Sequence, residues 1–411
     1  MPRIKAFKGI RPAADKTLQV VVKPFDQFYT EPAKQILQNN PISFLHTIEP
    51  LIDNPFMRGS REELIFKKAK EFFEDFIDDK VLLSDDKEAI YIYRTLNKGQ
   101  WQTGIWCITA IDDYLDNTLR KHEHTRADRE KDLIEYLDNT GIDANPVLVT
   151  YSGTPALEKI IQDKVKETPL VDFFADEQQH QLWKIDDEET IKTMVSEFAR
   201  LPESYIADGH HRAAAASLAG IQRRKNNLKH RGHEDYNFFS TLYFSFDQLI
   251  VFEFQRLVKD LNGLSELEFL DTLKKTFEIT ETNTPKPSSP HAFHLYLDKK
   301  WYELKIPVRL LEVKDPVAKL DVSILQHEIL SPILGIEDPR RDKRIKFVGG
   351  PTPIEQIVAL VDSGEMKLAF ILYPTSIDEL IAVADNGSVM PPKSTWFEPK
   401  LHCGLLIHKV E

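Results

Sequence analysis

The chain has 411 residues, 42% hydrophobic and 29% charged, with 53 Lys and Arg against 65 Asp and Glu for a net charge of −12. That length holds two or three domains and a sizeable core, and the composition is that of an ordinary globular protein. The acid excess argues against a general nucleic-acid or anionic-membrane surface, because binding to phosphate polymers needs a broad basic face; a local anion pocket stays open.

From the N-terminus, Met1 to Lys8 lacks the apolar core of a secretory signal, and no stretch approaches 18 uninterrupted apolar residues. The two cysteines, Cys107 and Cys403, stand alone, with no metal-knuckle or disulfide spacing. Together these features predict a cytoplasmic protein in a reducing compartment. Leu18 to Val22 reads as a buried strand stopped by Pro24, and Thr30-Glu31-Pro32 opens a helix running toward Asn39 by cap and N-terminal proline. Arg61 to Ile77 is an amphipathic helix whose stripe of Leu64, Ile65, Ala69, Phe72, Phe73 and Phe76 reads as core. Ala89 to Leu96 and Trp101 to Ile111 form a strand pair across Asn97-Lys98-Gly99. A dense polar cluster, His122 to Glu130, leads into a helix ending near Asn139.

Val147 to Tyr151 then reads as a buried strand, followed by a helix from Leu157 to Lys166, a strand from His180 to Ile185 and a helix from Asp187 to Leu201. The short apolar run Tyr205 to Ala207 passes through Asp208-Gly209-His210-His211-Arg212 into Ala213 to Ala219, which favours helix strongly. The basic run from Arg223 to Arg231 lacks apolar periodicity and reads as a solvated loop, close enough in sequence to fold over a bound phosphate. Phe238 to Phe246 returns as a strand, and Thr282 to Pro290, with three prolines in six residues, reads as a linker. Strands and helices then alternate to a last strand from Lys400 to His408. The expected class is α+β, with a first domain over 1–262 and a C-terminal α/β lobe over 263–411.

The Asp208 to Arg212 string carries the most chemistry. A strand that turns through glycine into a helix aims free backbone N–H groups and the positive end of the helix dipole at one point, which suits an anion. Arg212 adds a planar donor fork, and the histidines add donors or proton carriers near neutral pH. A purely architectural reading makes Asp208 a cap, Gly209 a turn residue and the histidines satisfied polar groups, and needs a separate partner for each. Two further polar clusters, His122 to Arg129 and Met390 to Lys400, are proposed as the other walls of one pocket.

Familiar motifs do not account for these clusters. Gly387 to Ser394 has a Lys-Ser pair after a glycine, but Pro391 and Pro392 remove the donors of a phosphate-cradling loop. No G-x-G-x-x-G follows a strand. His122 and His124 lack zincin spacing, so a metal-dependent hydrolase using them with His210 and His211 stays open without support. Phosphoryl transfer fits better: Asp208 and Glu123 supply carboxylates, while Arg212, Lys393 and the N–H groups at Gly209 and His210 supply the positive side.

Five motifs in order, Val21 to Asp26, His122 to Arg129, Ile206 to Arg212, Arg256 to Gly263 and Met390 to Lys400, resemble domain-of-unknown-function family 1015 over nearly the whole chain. The chain departs from that pattern at Lys23 to Asp26, where the family usually has two prolines and a tyrosine, and at Ala213, where an aromatic is common. Asp208 to Arg212 is also similar, locally, to the phosphate motif of free-serine kinases of the ParB/sulfiredoxin-like fold. This resemblance implies a ParB/sulfiredoxin-like nucleotide-binding core with a mixed sheet. It implies ADP or ATP held by Gly209, His210, His211 and Arg212 together with Lys393, Ser394 and Thr395, and Mg²⁺ on Asp208. Glu123, Asp208 and His211 are the catalytic candidates, with Glu123 the first choice of base and Asp26 the second. The expected function is phosphorylation of a small hydroxyl metabolite, an amino acid among the candidates; the alternative from another class is a non-catalytic, ParB-like nucleotide-binding regulator.

Overall fold

The computed structural model describes residues 1–23, 30–48, 62–97 and 99–410, so Asp26 and the rest of Pro24 to Asp26 lie outside the described residues. The described chain divides into two compact units, Met1–Leu249 with Pro399–Glu411, and Ile250–Glu398. The division runs at Leu249, not at 262, and the last thirteen residues return to the first unit. The proline-rich stretch after Thr282 is a loop inside the second unit, joining two strands of one sheet rather than two domains.

In the first unit the main sheet is built from β1 (Ile4–Lys5), β2 (Ile90–Asn97), β3 (Gln100–Ala110), β4 (Leu119–Arg120), β5 (Val147–Tyr151), β6 (Val171–Ala175), β7 (Gln178–Ile185), β8 (Ser204–Asp208) and β9 (Phe238–Ser245). They form one sheet in the order β4-β8-β5-β9-β3-β2-β7-β6, with β1 along β3. The β4–β8 and β5–β9 pairs are parallel and the others antiparallel, so the sheet is mixed, as expected. Its helices include α1 (Thr17–Val20), α2 (Thr30–Asn39), α3 (Glu62–Asp78), α4 (Ile111–Leu115), α5 (Ala127–Thr140), α6 (Pro155–Lys164), α7 (Glu188–Phe198) and α8 (His210–Asn226).

The period of two along the central strands gives the sheet two different faces. Ile90, Ile92, Ile105, Cys107, Val149 and Trp183 join one buried core with Leu157 of α6 and Met194 and Phe198 of α7. The opposite face carries Tyr91, Tyr93 and Trp106, all fully buried, whose polar tips are satisfied: Tyr91 donates to Asp85 Oδ2 at 2.6 Å and Trp106 to Ser240 Oγ at 2.8 Å. Burying an aromatic without such a partner would cost about 1–3 kcal/mol for its polar end.

Three sequence expectations need correction. Leu18 to Val22 is not a strand: α1 occupies Thr17–Val20, and only Val22 pairs, through both backbone groups, with Cys403. Val20, Val22 and Cys403 are buried in one cluster with α2 and α3, so the apolar run reflects burial and not a ladder. Lys400 to His408 is likewise a strap rather than a strand. It pairs at Cys403, at Ile407 with Ile10, and at His408–Lys409 with Ile142–Asp143, interrupted by Gly404. Finally, Arg223 and Arg224 belong to the last turn of α8, where Arg224 pairs with Asp112 at 2.5 Å and Arg223 with Asp138 at 3.1 Å. Eleven residues of helix put Arg223 about 16 Å along the axis from Arg212, too far to fold over a ligand at the helix start.

The second unit holds β10 (Phe254–Val258), β11 (Glu278–Thr282), β12 (Ala292–Leu297), β13 (Lys300–Lys305), β14 (Ile345–Gly349) and β15 (Leu368–Ile371). They form a sheet in the order β11-β13-β12-β15-β10-β14, and every described pairing in it is antiparallel. Helices α9 (Glu266–Leu273), α10 (Ile354–Asp362) and α11 (Ile377–Asp385) pack on it, with Phe269 and Leu273 in the core on one face and Ile357 on the other. Among the described residues no helix is long and apolar enough to cross a membrane.

Candidate functional site

Parallel pairing of β4 and β8 explains why two of the three polar clusters meet. Ser204 lies beside Leu119 and Tyr205 beside Arg120, so both strands leave the sheet at the same edge. The residues that follow β4 are His122 to Arg126; those that follow β8 are Gly209 to Arg212. The His122 backbone N–H donates to His210 Nε2 at 3.4 Å, and the Arg126 backbone N–H donates to His211 Nδ1 at 3.3 Å. The His122 and His210 rings meet edge to face, 4.5 Å between centroids at 85°.

These contacts fix the proton positions. Because His210 Nε2 accepts, its proton sits on Nδ1, which faces Glu123 Oε2 at 3.4 Å. His211, accepting at Nδ1, presents Nε2–H outward. Burial pushes His122 down to about 4, with Asp208 and a hydrogen bond to the Ile206 backbone pulling the other way. Burial likewise holds His210 well below the usual imidazole range, reinforced by its neighbour His122. Burial also lowers His211. The first two are therefore neutral donors and acceptors at pH 7, not cations.

Gly209 caps α8 with φ +96°, a left-handed conformation that a side chain would strain by about 1–2 kcal/mol. A Cβ there would also stand 2.6 Å from Arg212 Nη2, because the guanidinium lies directly over the glycine. The first intrahelical bond runs from Ala213 N–H to Gly209 O at 3.0 Å, which leaves the N–H groups of His210, His211 and Arg212 ahead of it. Arg212 spends Nη2 on the Pro146 carbonyl at 3.2 Å, while its buried Nε has no hydrogen-bond partner among the described residues. A buried guanidinium donor at a helix mouth is suited to an anionic acceptor.

Asp208 closes the motif. Its Oδ2 accepts from Lys400 Nζ at 3.0 Å, with the Asp208 side chain 41% and the Lys400 side chain 18% exposed. Burial pushes this carboxyl upward, yet Lys400 and Arg212 outweigh it and hold it well below the usual carboxylate range. Lys400 ends the third polar cluster and was not among the sequence-based candidates. The sequence set its segment, Met390 to Lys400, beside Asp208 but did not single out Lys400 as the partner, 192 positions away.

The other candidates fall differently. Glu123 is at the site, half exposed beside His210. Lys393, Ser394 and Thr395 belong to the second unit. There Lys393 lies over the Phe254 ring at 5.1 Å and its carbonyl accepts from Arg256 at 2.9 Å, while Ser394 donates to the Pro391 carbonyl at 2.6 Å. His124 is exposed, and among the described residues no group of three or more His, Cys, Asp or Glu side chains is arranged to hold a metal ion. Chemically, the assembled site offers helix N–H groups, one guanidinium donor, a lysine and an ionised carboxylate around one point, flanked by two neutral imidazoles. That combination suits a phosphate with its counter-cation.

A family model described as a protein of unknown function, DUF1015, matches residues 4–323. No curated protein matches the chain. Among solved structures it is similar to a mutant free serine kinase in complex with AMP, at 15% identity and TM-score 0.37 over 74% of this chain and 92% of that one. It is also similar to a conserved hypothetical protein from Pyrococcus furiosus, at 16% identity and TM-score 0.34 over 73% of this chain and 95% of that one. A C-terminally truncated SbnI from Staphylococcus aureus matches at 12% identity and TM-score 0.38, over 73% and 85% of the two chains.

Proposed function

The chain belongs to the DUF1015 family, and on that premise we propose that its first unit is a ParB/sulfiredoxin-like nucleotide-binding core that transfers a phosphoryl group to a small hydroxyl metabolite. The observation that carries the reading is the unpartnered, buried Nε of Arg212 over left-handed Gly209 at the mouth of α8, beside an ionised Asp208. The N–H groups ahead of Ala213 and the Arg212 fork take the phosphate oxygens of ADP or ATP. Asp208 takes Mg²⁺, which characteristically binds one or two carboxylates and completes its shell with water and substrate phosphates, so one carboxylate is a sufficient ligand set. When bound, the ion supplies charge neutralisation for the transferred group.

Glu123 is the base. It removes the acceptor hydroxyl proton as the new oxygen–phosphorus bond forms and the bond to the leaving phosphate breaks, and His210, neutral and held by the His122 backbone, orients it. A zinc hydrolase lacks a ligand group among the described residues, and the −12 charge disfavours a DNA-binding regulator. The test is to incubate the protein with ADP or ATP, Mg²⁺ and a panel of hydroxyl amino acids, and to follow phosphorus NMR. A new phosphate-ester resonance is expected; none with any acceptor, in a protein that binds nucleotide, leaves a non-catalytic nucleotide-binding module.

A further inference from the structure

A second titratable cluster in the first unit plays no part in the site above. Asp176 sits in the turn between β6 and β7 with φ +52°, followed by Glu177 at φ +62°, two left-handed non-glycine residues in succession. Its Oδ1 pairs with Lys23 Nζ at 2.6 Å and its Oδ2 accepts from His402 Nε2 at 2.9 Å. The two outer groups are partly open, with 34% of the Asp176 and 42% of the Lys23 side chain exposed.

Behind them the cluster is buried. His402 is 6% exposed, and its Nδ1 has no hydrogen-bond partner among the described residues. The ring stands edge-on to His180 at 4.7 Å and to Phe173 at 6.0 Å. His180 in turn accepts from Tyr93 OH at 2.8 Å. The His402 hydrogen bond, with Lys23 behind it, brings Asp176 down to about 2 against the effect of burial, and burial brings His180 down to about 4. The carboxylate is thus ionised at pH 7, and His180 behind it is neutral.

We propose that Asp176 and Lys23, with Asp176 oriented by His402, form a binding site for the head group of a small α-amino acid in its zwitterionic form. Charge pairing selects that ligand class. Lys23 already shows what Asp176 Oδ1 takes, an ammonium. A zwitterion entering between them exchanges one ion pair for two, ammonium on Asp176 and carboxylate on Lys23, and leaves no charge unpaired. A simple amine would strand Lys23, and a simple carboxylic acid would strand Asp176, each in a partly desolvated place where an unpaired charge is costly. Phe173, stacked on His180 at 4.9 Å and edge-on to His402 at 6.0 Å, packs the buried side of the cluster.

The strap gives the cluster its relation to the phosphate site. Lys400 grips Asp208 and His402 grips Asp176, and two residues of chain span at most about 7 Å between their α-carbons. That bound holds for the strap's α-carbons and not for the two carboxylates, whose strands stand five places apart in the sheet order, so the amino acid is inferred as a ligand of this cluster and not as the acceptor of the proposed transfer. Zwitterion binding itself does not depend on that function.

Calorimetry on the full chain tests it with L-serine, 2-aminoethanol, which lacks the carboxylate, and 3-hydroxypropionate, which lacks the ammonium. L-Serine is expected to bind and each analogue to bind at least 10-fold more weakly. Asp176→Asn and Lys23→Met are each expected to weaken L-serine at least 10-fold while ADP raises the thermal midpoint as in the unmodified protein. No heat with L-serine at 10 mM, equal affinity for the analogues, or an unaltered L-serine affinity in both variants overturns the proposal. The analogue series needs no variant to fold. L-Serine binding without any ADP effect supports this site and removes the phosphotransferase; ADP binding without L-serine binding does the reverse.

Discussion

His180 makes the first unit sensitive to mild acid, by an amount that follows from its surroundings. The side chain is fully buried between Tyr93, Phe173 and His402, and burial, with His402 adding to it, lowers it from 6.5 to about 4 against the opposing pull of Ala175 O and Asp176. A depressed imidazole binds fewer protons folded than unfolded. Its contribution is therefore intact above pH 6.5 and is lost as pH falls toward 4. At pH 5 the unfolded chain is protonated and the folded chain is not, a difference of about 1.5 pH units, or about 2 kcal/mol. His180→Gln deletes this term and adds a pH-independent cost for the altered Tyr93 contact. His122 and His210 act in the same direction but are common to both proteins and cancel. The assay is native-state hydrogen exchange of β2 and β7 amides at pH 7.5 and 5.0, which reports opening of the first unit alone. The unmodified protein should lose about 2 kcal/mol more than the variant between the two pH values. Equal losses would refute the account of His180 as a buried neutral imidazole.

Gly209→Ala forces a left-handed alanine and pushes the Arg212 guanidinium off the helix mouth, so the thermal midpoint should fall by the equivalent of about 1–2 kcal/mol and nucleotide stabilisation should vanish. A variant that keeps both would show that the guanidinium does not need its place over the glycine. Lys400→Met removes the cation that donates to Asp208 Oδ2, and burial then acts against less opposition, so the carboxyl should titrate at a higher pH by carbon-13 NMR. An unchanged titration would mean that Arg212 alone holds it ionised. Because Asp208 is partly exposed, the stability lost with this pair should be no more than about 1 kcal/mol in urea unfolding at pH 7.

Much of the first unit was legible because its signals are local. Val147 to Tyr151 is a continuous apolar run between turn residues and folds as β5 with those bounds. The β2–β3 hairpin follows from period-two alternation, and the start of α8 from its alanines behind a glycine. The meeting of the His122 and His210 segments was anticipated from polarity alone, but its cause, the short parallel pairing of β4 with β8, has too few residues to leave a pattern. Of the strap, only the approach of the Met390 to Lys400 segment to Asp208 was anticipated; its individual pairings could not be read. Lys400 and His402 find Asp208 and Asp176 across 192 and 226 positions, and pairings at single residues such as Cys403 carry no periodicity. The edge strand β6 escaped because only Val171 is buried along it.

The central claim is that Arg212 and the mouth of α8 hold a nucleotide phosphate. Titration calorimetry of ADP with Mg²⁺ into the unmodified protein and into Arg212→Ala tests it most directly, with circular dichroism melting to confirm that the variant is folded. Binding by the unmodified protein and at least a 10-fold weaker constant for a folded Arg212→Ala, as loss of a charge-assisted contact of about 1.5–3 kcal/mol requires, is the predicted result. Equal ADP affinity in the two proteins, or no binding to the unmodified one at millimolar ADP, would contradict it.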